Sequence, residues 1–268
     1  MSSNAEAQSN QSASKGQSQR LTVTAVPVRG AAPMNEKIAY SVEALDGKDR
    51  GKVVAAQTGP QLVADLPSGR YRVTSVFGLS TIRSEVSIAD APVAHQAVLN
   101  AGGVTLALMP YFGAPEVKDE IDWTVWTFGR DSSGNRWKVA SVRGANPHLM
   151  LPEGYYYVTA KHKGVEAKHT IEVTAGNNYN YSINLNAGTM RVFAEPAAGA
   201  NTDVTVFWKI YAKGAGAGSE PLVTSQTVGD NFLLPEGSYL VIAEQGGKEV
   251  RKEFNVGAGQ KHAVKMAF

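Results

Sequence analysis

Apolar residues fall at every second position in short runs along this chain. GVTLALM (103–109) sets Val104, Leu106 and Leu108 on one side. IDWTVWTF (121–128) sets Ile121, Trp123, Val125 and Thr127 against Asp122, Thr124, Trp126 and Phe128. A period of two predicts half-buried β-strands. The turn cluster RDSSGN (130–135) interrupts the pattern, and WKVASV (137–142) resumes it. YYYVTAKH then reaches Lys163–Gly164, which reads as a two-residue hairpin before VEAKHTIEV, with Gly246–Gly247 as its counterpart further on. YNYSINL (179–185) and HAVKMAF (262–268) close two stretches of this kind with alternating faces, Val264, Met266 and Phe268 sharing one of them.

The runs repeat in one order. LPSGRYRV (66–73), LPEGYYYV (151–158) and LPEGSYLV (234–241) place prolines at Pro67, Pro152 and Pro235, at intervals of 85 and 83 residues. Tyr71, Tyr156 and Tyr239 keep the same intervals. Upstream of each, IAYSVEAL, IDWTVWTF and VFWKIYAK carry an aromatic at Tyr40, Trp123 and Trp208. LNAG occurs at 99–102 and again at 185–188. Three markers at one period define a tandem repeat, and the period exceeds that of most solenoids, about 20–50 residues. It suits a small domain that closes its own core. The expected organisation is a disordered polar tail at 1–19 and repeats at 20–101, 102–187 and 188–268.

Each repeat holds six or seven short strands with turn signals between them and no amphipathic helical run. The expected fold is therefore all-β: three tandem Ig-like, prealbumin-like Greek-key sandwiches. The shared motif reads as a fold signature rather than a catalytic one, since it offers no activated nucleophile or base. Its leucine closes a core strand, and Pro67, Pro152 and Pro235 fix φ and start a turn. Gly154 and Gly237 are expected to supply a left-handed turn, and Gly69 belongs to the same signature. Tyr71, Tyr156 and Tyr239 are buried, and a buried phenol anchors its hydroxyl on a backbone group.

The three octapeptides resemble the L-P-x-G-x-Y-x-V turn-and-strand of prealbumin-like sandwich modules. Those include carboxypeptidase-regulatory-like domains and the B-type (CnaB) repeats of bacterial surface adhesins. The resemblance runs over residues 20–268 and implies a sandwich array from a bacterial cell envelope. B-type modules often carry a Lys–Asn isopeptide bond with the lysine in the first strand. Here the first strands, LTVTAV, GVTLALM and TMRVFAE, contain no lysine. No such crosslink is expected.

Composition narrows the function classes. The 268 residues carry 27 glycines, 19% charged residues, a formal net charge of +2 and no Lys/Arg run, which argues against nucleic acid as partner. There are no cysteines, so disulfides and thiolate chemistry are excluded. No apolar stretch approaches the roughly 20 residues of a transmembrane helix. The polar first twenty residues contain no apolar signal core, which leaves a periplasmic, cell-surface or cytoplasmic setting open. GxxxxGK[ST], HExxH and GxSxG are all absent, and the expectation is a protein without enzymatic activity or cofactor.

Five histidines, His95, His148, His162, His169 and His262, invite a metal reading. The hairpin register separates His162 from His169 by about 13 Å at roughly 3.3 Å per residue, so solvated strand histidines are expected instead. EVKDEID and RDSSGN lack the oxygen spacing of an EF-hand calcium loop. The middle repeat stands apart in its aromatics. Alternation turns Tyr155 and Tyr157 outward, with Trp126 and Trp137 as companions, and these four are the candidate binding residues. The leading expectation is a semi-rigid rod of sandwiches presenting a protein-binding surface to another envelope protein or to itself. The alternative is a carbohydrate-binding accessory module using the aromatics of the middle repeat.

Overall fold

The protein is described by a computed structural model covering residues 18–195, 205–215 and 218–268. The expected polar tail thus lies largely outside the described residues. Twenty-one strands and no helix make up the described chain, in three sets of seven. The first set is β1 (Gln19–Val26), β2 (Ile38–Ala44), β3 (Val53–Gly59), β4 (Gln61–Leu66), β5 (Gly69–Phe77), β6 (Ser80–Ile88) and β7 (Val93–Val98). The second is β8 (Ala101–Met109), β9 (Asp122–Thr127), β10 (Lys138–Arg143), β11 (His148–Pro152), β12 (Gly154–His162), β13 (Val165–Val173) and β14 (Asn178–Asn184). The third is β15 (Ala187–Glu195), β16 (Val206–Ala212), β17 (Val223–Thr227), β18 (Gly229–Pro235), β19 (Gly237–Gln245), β20 (Lys248–Val256) and β21 (Lys261–Ala267).

Every set folds the same way. A three-stranded sheet places the first strand between the fourth and the seventh: β4-β1-β7, β11-β8-β14 and β18-β15-β21. A four-stranded sheet runs third, second, fifth, sixth: β3-β2-β5-β6, β10-β9-β12-β13 and β17-β16-β19-β20. The seventh strand pairs parallel with the first, as in Tyr181↔Leu106 and Val264↔Val192. Each set is a two-sheet sandwich, and the architecture is all-β with three tandem sandwiches.

The repeated aromatic explains itself in the core. Trp123 and Trp208 are fully buried, and their indole N–H groups donate to the carbonyls of Gly144 (2.9 Å) and Thr227 (3.0 Å). Tyr40 donates to Pro60 at 3.3 Å. Each ring fills its sandwich while its one polar atom is satisfied, the condition for burying such a side chain. The octapeptide tyrosines obey the same rule. Tyr71 and Tyr239 are buried and donate to the carbonyls of Pro67 (2.8 Å) and Pro235 (2.6 Å), four residues back, and Tyr156 is buried with them.

Some local expectations change. The motif glycine is not a left-handed residue in every copy: φ is +152° at Gly154, but no positive φ occurs at Gly69 or Gly237. A Cβ on Gly237 would lie 3.5 Å from the Tyr239 ring, an ordinary van der Waals contact, so the position has room for a methyl group. The motif proline follows the strand at Pro67, as expected, but ends it at Pro152 and Pro235, the last still opposite Ala187. β8 is buried on both faces over most of its length rather than half-buried. His162 is 6% exposed, not solvated. It lies in phase with Tyr156, Val158 and Ala160 on the core face of β12.

By internal contacts the chain forms two compact units. The first holds residues 1–102 with Met150–Glu153 and Thr174–Asn177, and the second holds the remainder. Within the first unit, Leu99 and Ala101 donate to the carbonyls of Val26 and Pro27, and Asn100 and Ala101 accept from Glu153 and Gly176. Within the second, Leu185 and Ala187 donate to Met109 and Pro110, and Asn186 and Ala187 accept from Glu236 and Gly259. One set of four backbone bonds thus occurs twice, each worth about 0.5–1.5 kcal/mol net. Asn100 and Asn186 adopt φ of +46° and +49°, a conformation that asparagine tolerates better than other non-glycine residues. That is why LNAG recurs, and the LPEG glutamate supplies its partner amide.

Candidate functional site

The outer face of the four-stranded sheet of the middle sandwich carries a group of aromatic side chains, Trp126, Tyr155 and Tyr157. β9 and β12 are its central strands, and β10 and β13 are its edges. Register sets one row across it: Lys138 on β10, Trp126 on β9, Tyr157 on β12 and Thr170 on β13. One step along β12, Tyr155 sits opposite Glu172. Alternation sends Trp123 and Val125 inward and Trp126 outward, so core packing itself fixes where the face begins.

Each side chain on this face is held. Trp126 donates its indole N–H to Thr159 Oγ1 at 3.2 Å. Tyr155, 54% exposed, donates to Glu172 Oε1 at 2.9 Å, and its ring centroid lies 5.8 Å from that of Phe128. The hydrogen bond to Glu172, and then that carboxylate's charge, raise the Tyr155 phenol above its ordinary 10.0. A phenol held protonated serves as a hydrogen-bond donor, not as a base. Arg136 lies over the rings of both Tyr157 (4.5 Å) and Phe128 (5.6 Å), and its Nη1 donates to the Thr127 carbonyl at 2.9 Å. Such cation–π contacts are worth about 0.5–1 kcal/mol at exposed sites.

The turn RDSSGN shapes the rim. Asp131 Oδ1 accepts from the amides of Ser133 (2.9 Å) and Asn135 (2.8 Å), and Gly134 takes φ of +82°. Arg130 closes the turn by donating to the Gly134 carbonyl. The turn and the sheet border an open depression of about 390 Å³, lined by Trp126, Tyr157, Arg130, Arg136, Glu166 and Lys168 among others. Ligand sites commonly span about 300–1,000 Å³.

Of the four aromatics singled out from the sequence, Trp126 and Tyr157 meet in this depression. Tyr155 is the next outward residue on the same strand. Trp137 is 69% exposed, its backbone tied to Thr127 just before β10, and its side chain does not border the depression. Sequence reading missed Arg130, Arg136 and Phe128. RDSSGN reads only as a turn, and nothing in the letters places Arg136 over Tyr157 or Arg130 at the rim.

The copies differ at this place. The cross-strand pair Trp126–Tyr157 corresponds to Glu43–Arg72 in the first sandwich and to Tyr211–Leu240 in the third. Glu43 and Arg72 are an ion pair at 3.3 Å. Tyr211 and Leu240 line a depression of their own, of about 520 Å³, with Ile242 and Arg251.

The histidines divide by surroundings. His162 lies 3.3 Å from the Glu120 carbonyl through Nδ1 and 3.8 Å from Asp119, whose carboxylate is paired with Lys163 at 3.0 Å. His95 Nε2 lies 2.6 Å from Ser84 Oγ, bridging β7 at the edge of one sheet to β6 at the edge of the other. Burial pushes the His95 pKa below its ordinary 6.5. The pair ties two sheet edges together. No cluster of three potential metal ligands occurs among the described residues, and among them no helix is long and apolar enough to cross a membrane.

No protein-family model matches the chain, and no curated protein matches it. Similarity to solved structures is low in identity. The Bacillus anthracis TIE protein is 13% identical with a TM-score of 0.27 over 94% of this chain, which spans half of that one. A streptococcal ancillary pilin is 11% identical with a TM-score of 0.34, over 94% of this chain and 99% of that one. A putative adhesin from Bacteroides thetaiotaomicron is 9% identical with a TM-score of 0.33, over 63% of this chain and 92% of that one. The three-sandwich architecture rests on the strand order and pairing of the chain itself.

Proposed function

We propose that this protein is a non-enzymatic structural and interaction module of a bacterial cell envelope or cell surface, in which the middle sandwich presents the contact face. The observation that carries the reading is the contrast between copies. All three sandwiches share topology, buried aromatics and motif tyrosines, yet only the middle one combines Trp126, Tyr155 and Tyr157 outward with two arginines beside them. Its residues are hydrogen-bonded donors and stacked rings, suited to holding a partner rather than to turning over a substrate. The bacterial setting follows the resemblance of the octapeptide to envelope sandwich repeats. The repeated four-bond joints, Asn100–Glu153 and Asn186–Glu236 among them, suit a spacer that holds such a face away from its anchorage. A glycan is the second partner class considered, because the outward Trp126–Tyr157 pair sets two aromatic rings side by side on the sheet.

The third sandwich supplies the control. Its residues at the equivalent positions, Tyr211, Ser238 and Leu240, are known to suit this backbone. The triple variant Trp126→Tyr, Tyr155→Ser, Tyr157→Leu should keep the unfolding profile of the parent. It should also lose retention on isolated cell envelopes of the bacterium that encodes the chain. Undiminished retention would remove the face from the functional account.

A further inference from the structure

We infer that the depression on the middle sandwich binds an acidic saccharide, a sugar ring bearing a carboxylate, through Arg130 and Arg136 above the Trp126–Tyr157 pair. The inference rests on the reading of this face as the contact surface and names its ligand class.

Charge pairing points to an anion. Eight lysines and arginines lie between residues 103 and 185. Lys118, Arg143, Lys163 and Lys168 are each within 4.0 Å of a carboxylate. Among the described residues Arg130, Arg136, Lys138 and Lys161 form no such ion pair, and the first three surround the aromatic row. Acidic groups nearby are all engaged. Glu166 is paired with Lys168 at 3.2 Å, Glu172 accepts from Tyr155, and Asp131 accepts from its own turn. Arg130 and Arg136 each commit Nη1 to a backbone carbonyl, yet neither guanidinium has a carboxylate partner, so each retains N–H groups for a charge-assisted bond to an anion.

Ring stacking and sheet position point to a saccharide rather than a peptide. The Trp126 indole is fixed by Thr159 and Tyr157 is fixed beneath Arg136, so both present surfaces whose entropy is already spent. Asn135 and Thr159 add neutral polar groups for hydroxyls. A peptide captured by strand addition needs a sheet edge with free backbone groups. This depression lies over β9 and β12, whose backbones are paired on both sides.

The test uses the full chain and three probes: a galacturonic acid oligosaccharide, its methyl ester, and an oligoglutamate peptide. Binding is followed by calorimetry and by tryptophan fluorescence, at low and high salt. The acid oligosaccharide should bind saturably and weaken with salt, and its ester should bind at least tenfold more weakly. Arg130→Gln and Arg136→Gln should each weaken the acid form by about tenfold, the scale of one charge-assisted contact. Arg136 also packs on Tyr157, so Arg130→Gln, at the exposed rim, keeps the test independent of folding. Equal binding of acid and ester, tighter binding of oligoglutamate, or no binding of the acid oligosaccharide would each overturn the assignment. If envelope retention were still lost in the triple variant of Trp126, Tyr155 and Tyr157, the contact face would stand and its ligand would belong to another class.

Discussion

Replacing Tyr239 by Phe tests what the repeated octapeptide is for. The ring of Tyr239 is buried in the third sandwich, stacked on Phe254 at 5.6 Å, and its hydroxyl donates to the Pro235 carbonyl at 2.6 Å. Tyr239→Phe keeps the ring and deletes one neutral hydrogen bond, worth about 0.5–1.5 kcal/mol net. Pro235 is exposed, so its carbonyl can turn to water and the cost should stay near 1 kcal/mol. Hydrogen exchange read on β16–β20 peptides should then show roughly fivefold weaker protection at neutral pH. Tyr211→Phe, on the outer face, should change it little. Alkali adds a second arm. Burial raises the Tyr239 pKa above 10.0, so the folded state keeps its proton after the unfolded chain has lost it. The stabilisation is complete below pH 10.0 and is lost as pH climbs through the folded value. The gap between parent and variant should therefore narrow above pH 10.0. A variant as protected as Tyr211→Phe, or a gap undiminished in alkali, would refute the hydroxyl anchor as the reason for the conserved spacing of this tyrosine among the copies.

Three further outcomes follow from the geometry. Asn186→Val should cost about 1–2 kcal/mol in thermal unfolding, because φ is +49° there, whereas Asn186→Gly should be nearly neutral; equal effects would remove the left-handed joint as the cause. Gly188→Ala should destabilise the third sandwich more than Gly237→Ala, since its Cβ would meet the Gly257 carbonyl at 2.4 Å while that of Gly237 meets only Tyr239 at 3.5 Å; comparing the two melting temperatures decides it. The depressed pKa of His95 makes the unfolded state bind its proton first, so the first sandwich should be fully stabilised above pH 6.5 and lose that stability as pH falls toward the folded value. His95→Gln should flatten this acid slope in urea titrations, and an unchanged slope would show that the buried imidazole is not responsible.

How far the letters carried the structure depends on which physical constraint each residue obeys. Period-two alternation and the common spacing made the strands, the three sandwiches and the buried Trp123, Trp208, Tyr71 and Tyr239 legible, because core burial imposes the same demand in every copy. His162 obeyed that alternation too, and its burial could have been read from its phase with Val158 and Ala160; the prior that histidines are solvated overrode the pattern. Gly237 departs from the left-handed turn that a glycine two residues after a proline suggests, because this copy of the turn is built without a positive φ there. Arg130 and Arg136 left no local signature. The place of Arg136 over Phe128 and Tyr157, and of Arg130 at the rim, depends on how a ten-residue excursion between β9 and β10 folds back, and strand register alone does not determine that.

The variable positions deserve functional weight because the fold scarcely constrains them. Inward substitutions such as Trp123→Ala would cost about 3–5 kcal/mol, so those positions are pinned. An outward cross-strand pair contributes only about 0.2–1 kcal/mol whichever compatible residues fill it. One backbone position therefore accommodates the Glu43–Arg72 ion pair, the Trp126–Tyr157 aromatic pair and the Tyr211–Leu240 apolar pair in three otherwise equivalent sandwiches. Stability does not select among them, and solubility argues against the aromatic choice, since exposed rings promote association. A costly choice at a position where the fold would accept a cheap one needs a benefit outside the fold. On the proposed reading that benefit is contact, and Arg130 and Arg136, which have no carboxylate partner among the described residues, are the reason an anion is proposed there.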